Sequence, residues 1–176
     1  MLTKLSRSRW AGIILLVLVN VLVYLPSVLR LGYYRDEWYF LYDGLIGGRD
    51  IFWDMFLSDR PARGLFFEAL FSLTHFNPLT NQLLTLLWRM LGSLCVFWLA
   101  QLIWPAQRRA AWIAAVLFGT FPGFLWWVAG IEYQPIVLSA SLMVLSFALT
   151  VKAFQTQPLA SRIAFTAGAI LTGWLY

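Results

Sequence analysis

The chain has 176 residues, 61% hydrophobic and 12% charged, with a mean hydropathy of +0.73. Water-soluble domains carry roughly 25% charged residues, so the composition excludes an ordinary soluble domain and makes a membrane the natural solvent. The net charge of +5 does not mark a nucleic-acid partner, because the basic residues are scattered between apolar runs and form no continuous patch.

Lys4, Arg7 and Arg9 open the chain, and residues 10–29 follow as an uncharged apolar run. A helix crosses a bilayer in about 20 such residues. A secretory signal also starts basic, but this run has the length of a full span and no small-x-small cleavage pattern follows it. An uncleaved first span is therefore expected. Further spans are expected over 83–104, interrupted by Arg89, over 110–131 and over 135–151, and 163–176 starts another. That last stretch reaches only about 21 Å as a helix, against a hydrocarbon core of ~30 Å, so the sequence is expected to continue in a longer protein. The fold class expected is all-α: a polytopic transmembrane bundle of about five spans, with amphipathic interfacial helices in its first outer loop. The ten Trp suit the headgroup region, where one edge of the ring is apolar and the other wet. Cys95 is the single cysteine, which excludes an internal disulfide and a Cys-based metal site.

Charge sets the expected orientation, because cytoplasmic loops gather Lys and Arg. With residues 1–9 inside, the inner segments (1–9, 105–109 and 152–162) hold Lys4, Arg7, Arg9, Arg108, Arg109, Lys152 and Arg162 and no acid. Asp36, Glu37, Asp43, Asp50, Asp54, Asp59, Glu68 and Glu132 all fall outside, in the loop 30–82 and the turn 132–134. Residues 61–76 are apolar enough to pass for a span. As a helix they are only about 24 Å long, and they contain Glu68. They are expected to lie in the outer interface, entered through Pro61 at the first helical position.

A loop as long as 30–82 is usually functional. Asp36 can cap a helix starting at Glu37, in which Trp38, Leu41, Tyr42 and Leu45 recur on one face that would meet the membrane. Gly47-Gly48 would end it. Residues 51–57 form a short apolar piece, and Ser58-Asp59-Arg60-Pro61 is a turn into the interfacial helix. The loop thus reads as two amphipathic helices joined by a charged linker. Arg35-Asp36-Glu37 is its chemical hot point. Adjacent carboxylates at a helix start can hold a divalent cation or act as a general base, and they can equally do no more than stabilise the helix. Glu132 lies in the other outer turn, on the same expected side. Arg89, a few residues into its span, needs a loop acid, a lipid phosphate or a snorkelling path to water. Arg60 and Arg63 are further phosphate-binding candidates, with surface pairing to Asp59 as the plainer account. His75, the single histidine, is expected to be structural.

The series Asp36-Glu37, aromatic 38–46, Arg60-Pro61, interfacial 63–76, Trp88-Arg89, Arg108-Arg109 and Glu132 resembles, in that order, the C-type (GT-C) integral membrane glycosyltransferases. The nearest branch is that of the protein O-mannosyltransferases and the lipid A aminoarabinose transferases. The chain departs from the family in having Arg60 where Lys is common and Glu132 where Asp is usual. The resemblance implies a multi-pass enzyme of the bacterial plasma membrane and cell envelope, with its active site facing outside. It would move a sugar, with inversion, from a polyprenyl-phosphate sugar to an acceptor glycan, lipid or protein. It further implies Asp36 as general base with Glu37 beside it, substrate contacts from Arg60, Arg63, Arg89 and Glu132, and a divalent cation, Mg or Mn, where one is used, on Asp36 and Glu132. The sequence has no Gly-rich phosphate loop, as expected if no nucleotide is bound. The competing functions are a transporter or flippase, for which Pro122-Gly123 interrupts a span, and a non-catalytic membrane scaffold or truncated relic.

Overall fold

The computed structural model describes residues 9–48, 50–58, 60–121 and 130–174, and all regular structure among them is helical. Lys4, Arg7, Asp59 and Pro122-Gly123 lie outside the described residues, as do all of 122–129 in the apolar run 110–131.

Helix α1 is Arg9–Val28. Its packed face is Leu16, Asn20, Tyr24 and Val28, spaced one turn apart. Ile14, Leu15, Leu18 and Leu22 point outward, which in a membrane is toward lipid. The longest helix is α5, Pro78–Ile103, with 26 residues. Asn77 caps it, its side-chain oxygen accepting from the Thr80 N–H at 3.2 Å, and Pro78 takes the first position, where no N–H is needed. This cap starts the helix five residues before the expected span at 83, because the polar Asn81 and Gln82 turn inward instead of ending it. Helix α6 is Arg108–Gly119, α7 is Gln134–Gln155 and α8 is Leu159–Trp174. The central α5 packs against α1, α6 and α7, and α8 packs on α7.

Helices α1, α5 and α7 are long and apolar enough to cross a membrane. About five spans were expected; three meet that standard among the described residues. The described part of α6 has 12 residues and α8 has 16, lengths of about 18 and 24 Å.

The first loop holds three helices instead of the expected two: α2 (Glu37–Ile46), α3 (Ile51–Phe56) and α4 (Pro61–Thr74). The short apolar piece expected over 51–57 is itself a helix, α3, because Phe52 and Phe56, one turn apart, find a core to enter. With Phe40, Phe67 and Phe71 they form an aromatic layer whose ring centroids lie 4.8–6.4 Å apart, the range in which offset and edge contacts are favourable. Ile131, from the turn before α7, closes the layer. The packed face of α2 is Glu37, Phe40 and Gly44, while Trp38, Tyr42 and Leu45 of the expected apolar face stand exposed.

Helix α4 is anchored at both ends to one end of the bundle. At its start the Arg63 guanidinium donates to the Glu132 carbonyl at 3.1 Å. Beyond its end the Phe76 carbonyl accepts from the Tyr33 hydroxyl at 2.6 Å. Its last turn closes through His75 and Phe76, both in the left-handed region, with φ of 49° and 59°. That conformation is unusual without glycine; here the stacking of Phe76 on Phe71 at 4.7 Å helps hold it. His75 therefore has a structural place as the cap of α4, its N–H bonded to the Phe71 carbonyl.

Candidate active site

Glu37 is fully buried. One carboxylate oxygen accepts from the backbone N–H groups of Ile131 at 2.6 Å and Glu132 at 2.9 Å, and the other from the Tyr34 N–H at 2.9 Å. The last of these reaches back three residues, as the acid of a capping box does. The first two bridge 94 and 95 residues of sequence. Glu37 thus ties the first loop to the turn before α7. Burial, opposed by these N–H bonds, pushes its carboxyl up to about 7. Burial and the neighbouring Glu37 carboxylate also push the Tyr33 phenol upward.

Asp36, next to it, is exposed, and its side chain makes no capping bond. Within the pair, Glu37 is bonded into the fold and Asp36 is the carboxylate open to solution. Arg35, just before them, has φ of 50°, a strained value for a non-glycine residue and one that clusters at functional sites.

Glu132 is brought to the same place. Its backbone N–H meets Glu37, and its carboxylate lies 3.6 Å from Arg63. The Arg63 guanidinium also covers the Phe56 and Phe67 rings at 5.0 and 5.5 Å. Arg63 is therefore engaged with Glu132 and the aromatic layer. Arg60, three residues before it, is exposed at the entry to α4. Among the described residues no three of His, Cys, Asp and Glu gather as a metal site would require. A cation held by Asp36 and Glu132 would have to complete its shell from substrate and water.

Arg89 lies deeper. It is 7% exposed, with its guanidinium 4.3 Å from the centre of the Tyr24 ring on α1. It faces the bundle interior and does not snorkel. One turn toward the first loop, Thr85 donates to the Gly130 carbonyl at 3.0 Å, and Gly130 adjoins the residue pinned by Glu37. Arg89 is thus about 6 Å along α5 from the floor of the acidic cluster.

The sequence reading missed the surroundings of Arg89. Asn81, Thr85, Arg89 and Ser93 form one buried stripe on α5, and the signal was there in their four-residue spacing. Asn20 and Tyr24 face it from α1, Gln134 and Ser141 from α7, all buried. Gln134 accepts from the Trp88 indole N–H at 3.1 Å and donates to the Asn81 carbonyl at 3.1 Å. Ser141 donates to the Trp88 carbonyl at 2.9 Å, and Ser93 to Asn20 at 3.4 Å. Beyond Ser93 the packing becomes apolar, with Leu16, Phe97, Ala100, Ala111 and Ala115. The polar stripe therefore runs from the acidic cluster to mid-bundle and stops there.

No protein-family model, curated protein or solved structure matches this chain.

Proposed function

We propose that this chain carries the acceptor-activating part of a membrane glycosyltransferase that takes its sugar from a polyprenyl-phosphate donor and works at the outer face. The observation that carries the reading is the division of the acidic pair into a buried tie, Glu37, and an exposed neighbour, Asp36, above a buried arginine. A general base must reach substrate, and Asp36 can. It takes the proton of the acceptor hydroxyl as that oxygen attacks the anomeric carbon. The bond to the lipid phosphate breaks on the opposite face, and Arg89 offsets the charge left on the phosphate.

A second reading, a transporter or flippase, is favoured by the buried polar stripe, since transporters place polar sites within their spans. Asp36→Asn separates the two when measured in proteoliposomes. Asn leaves the fold intact, because the Asp36 side chain makes no capping bond. Sugar transfer should fall by roughly 10²-fold or more. Undiminished transfer in this variant would remove Asp36 as base, and flux of a lipid-linked sugar with no transfer at all would move the assignment to a flippase.

A further inference from the structure

A groove of about 420 Å³ lies between α7 and α8, away from the acidic cluster. Its α8 wall is Arg162, Thr166, Ile170 and Gly173, a single stripe at helical spacing, and Thr150 and Phe154 line it from α7. The helices are fastened along its floor, where the Ser146 hydroxyl donates to the Ala169 carbonyl at 2.8 Å. The groove opens on the outside of the described bundle, with Ile170 68% and Phe154 81% exposed.

Its chemistry is graded. Arg162 and the Thr150 and Thr166 hydroxyls stand toward one end, and Ile170 and Gly173 toward the other. From Arg162 to Gly173 the stripe is about 16 Å long at 1.5 Å per residue, half of a ~30 Å hydrocarbon core and so the depth of one leaflet. The connection beside the charged end carries Lys152 and Arg162 and no acid. Charge selects the occupant: Arg162 with the Thr150 and Thr166 hydroxyls at one end, and an apolar remainder, match the head and chain of a single anionic lipid.

We propose that this groove binds one anionic phospholipid, with its phosphate on Arg162 beside Thr166 and an acyl chain along Ile170 and Gly173. The leaflet is the one on the side of Lys152 and Arg162. The attraction of one basic residue near a lipid phosphate is enough to select an anionic head over a neutral one several-fold.

The full chain, released from nanodiscs of equal phosphatidylglycerol and phosphatidylcholine, should retain one phosphatidylglycerol in native mass spectrometry. Arg162→Gln should lower that retained fraction roughly fivefold or more. Arg109→Gln, an exposed arginine outside the groove, should leave it unchanged. Equal retention of both lipids, or equal loss in both variants, overturns the proposal. So does a chain-to-chain cross-link through Ile170→Cys that persists at high lipid dilution, which would put a second copy in the groove.

Discussion

Glu37 is a fully buried acid held by three backbone N–H donors. The donors favour its charged form and burial opposes it, and burial wins, since the carboxyl is raised from 4.5 to about 7. Its contribution to stability is therefore fully present below about pH 4.5 and is lost as pH rises through about 7. The midpoint of thermal unfolding in detergent should fall between pH 5 and pH 8, and Glu37→Gln should flatten that slope. A slope that survives the substitution would assign it to other groups. Arg89 makes a different demand. On the proposed function it faces a lipid phosphate, which a planar guanidinium fork binds better than an ammonium. Arg89→Lys should weaken donor binding several-fold in a titration with a polyprenyl-phosphate sugar, and unchanged affinity would reduce Arg89 to its packing on Tyr24.

The helices of the first loop depend on close backbone approach more than on length. A β-carbon at Gly64 would lie 2.6 Å from the Phe52 carbonyl oxygen and 3.0 Å from the Trp53 α-carbon, both backbone atoms that cannot swing away. Gly64→Ala should part α3 from α4 and cost about 1–3 kcal/mol, read as a lowered unfolding midpoint. Gly119 serves the same purpose in the bundle, where a β-carbon would come within 2.6 Å of the Asn20 side-chain oxygen. These contacts explain what the sequence could and could not disclose. Helices α1, α5 and α7 were legible because a span needs only an apolar run of sufficient length. Helix α3 was not, since six residues carry too little periodicity and its stability comes from the aromatic layer. The pair Asp36-Glu37 was legible as a hot point, but its split into an open and a buried acid was not. That split is set by the Ile131 and Glu132 N–H groups, far away in sequence, and no local pattern encodes it.

At the scale of the whole molecule, the charge asymmetry and the anchoring of α4 make one prediction about sidedness. Both ends of α4 are bonded at the end of the bundle where Glu37 meets Ile131 and Glu132. Residues before and after α5 should then face opposite sides. Cysteines introduced at the exposed Asp50, Gln107 and Gln157 test this against an impermeant thiol reagent, with the native Cys95 buried. Asp50→Cys should react in intact cells, and Gln107→Cys and Gln157→Cys only after lysis. Labelling of Asp50→Cys and Gln107→Cys from the same side would falsify the arrangement. Gln134, the obvious choice from sequence, is unsuitable, because it is buried between Trp88 and Asn81.

Among the described residues the polar stripe on α5 stops at Ser93 and Asn20, and the cluster beyond it is apolar. A voltage across a membrane falls mostly where the medium polarises least, so most of the drop would lie across the apolar half. Carrying a unit charge through a whole field of 100 mV is worth about 2.3 kcal/mol. Arg89, on the polar side of that boundary, would experience only a small part of it, as would an anion resting against it. Such an anion would come and go at nearly the electrical potential of the water at the mouth, and its occupancy should scarcely respond to whether the membrane is energised.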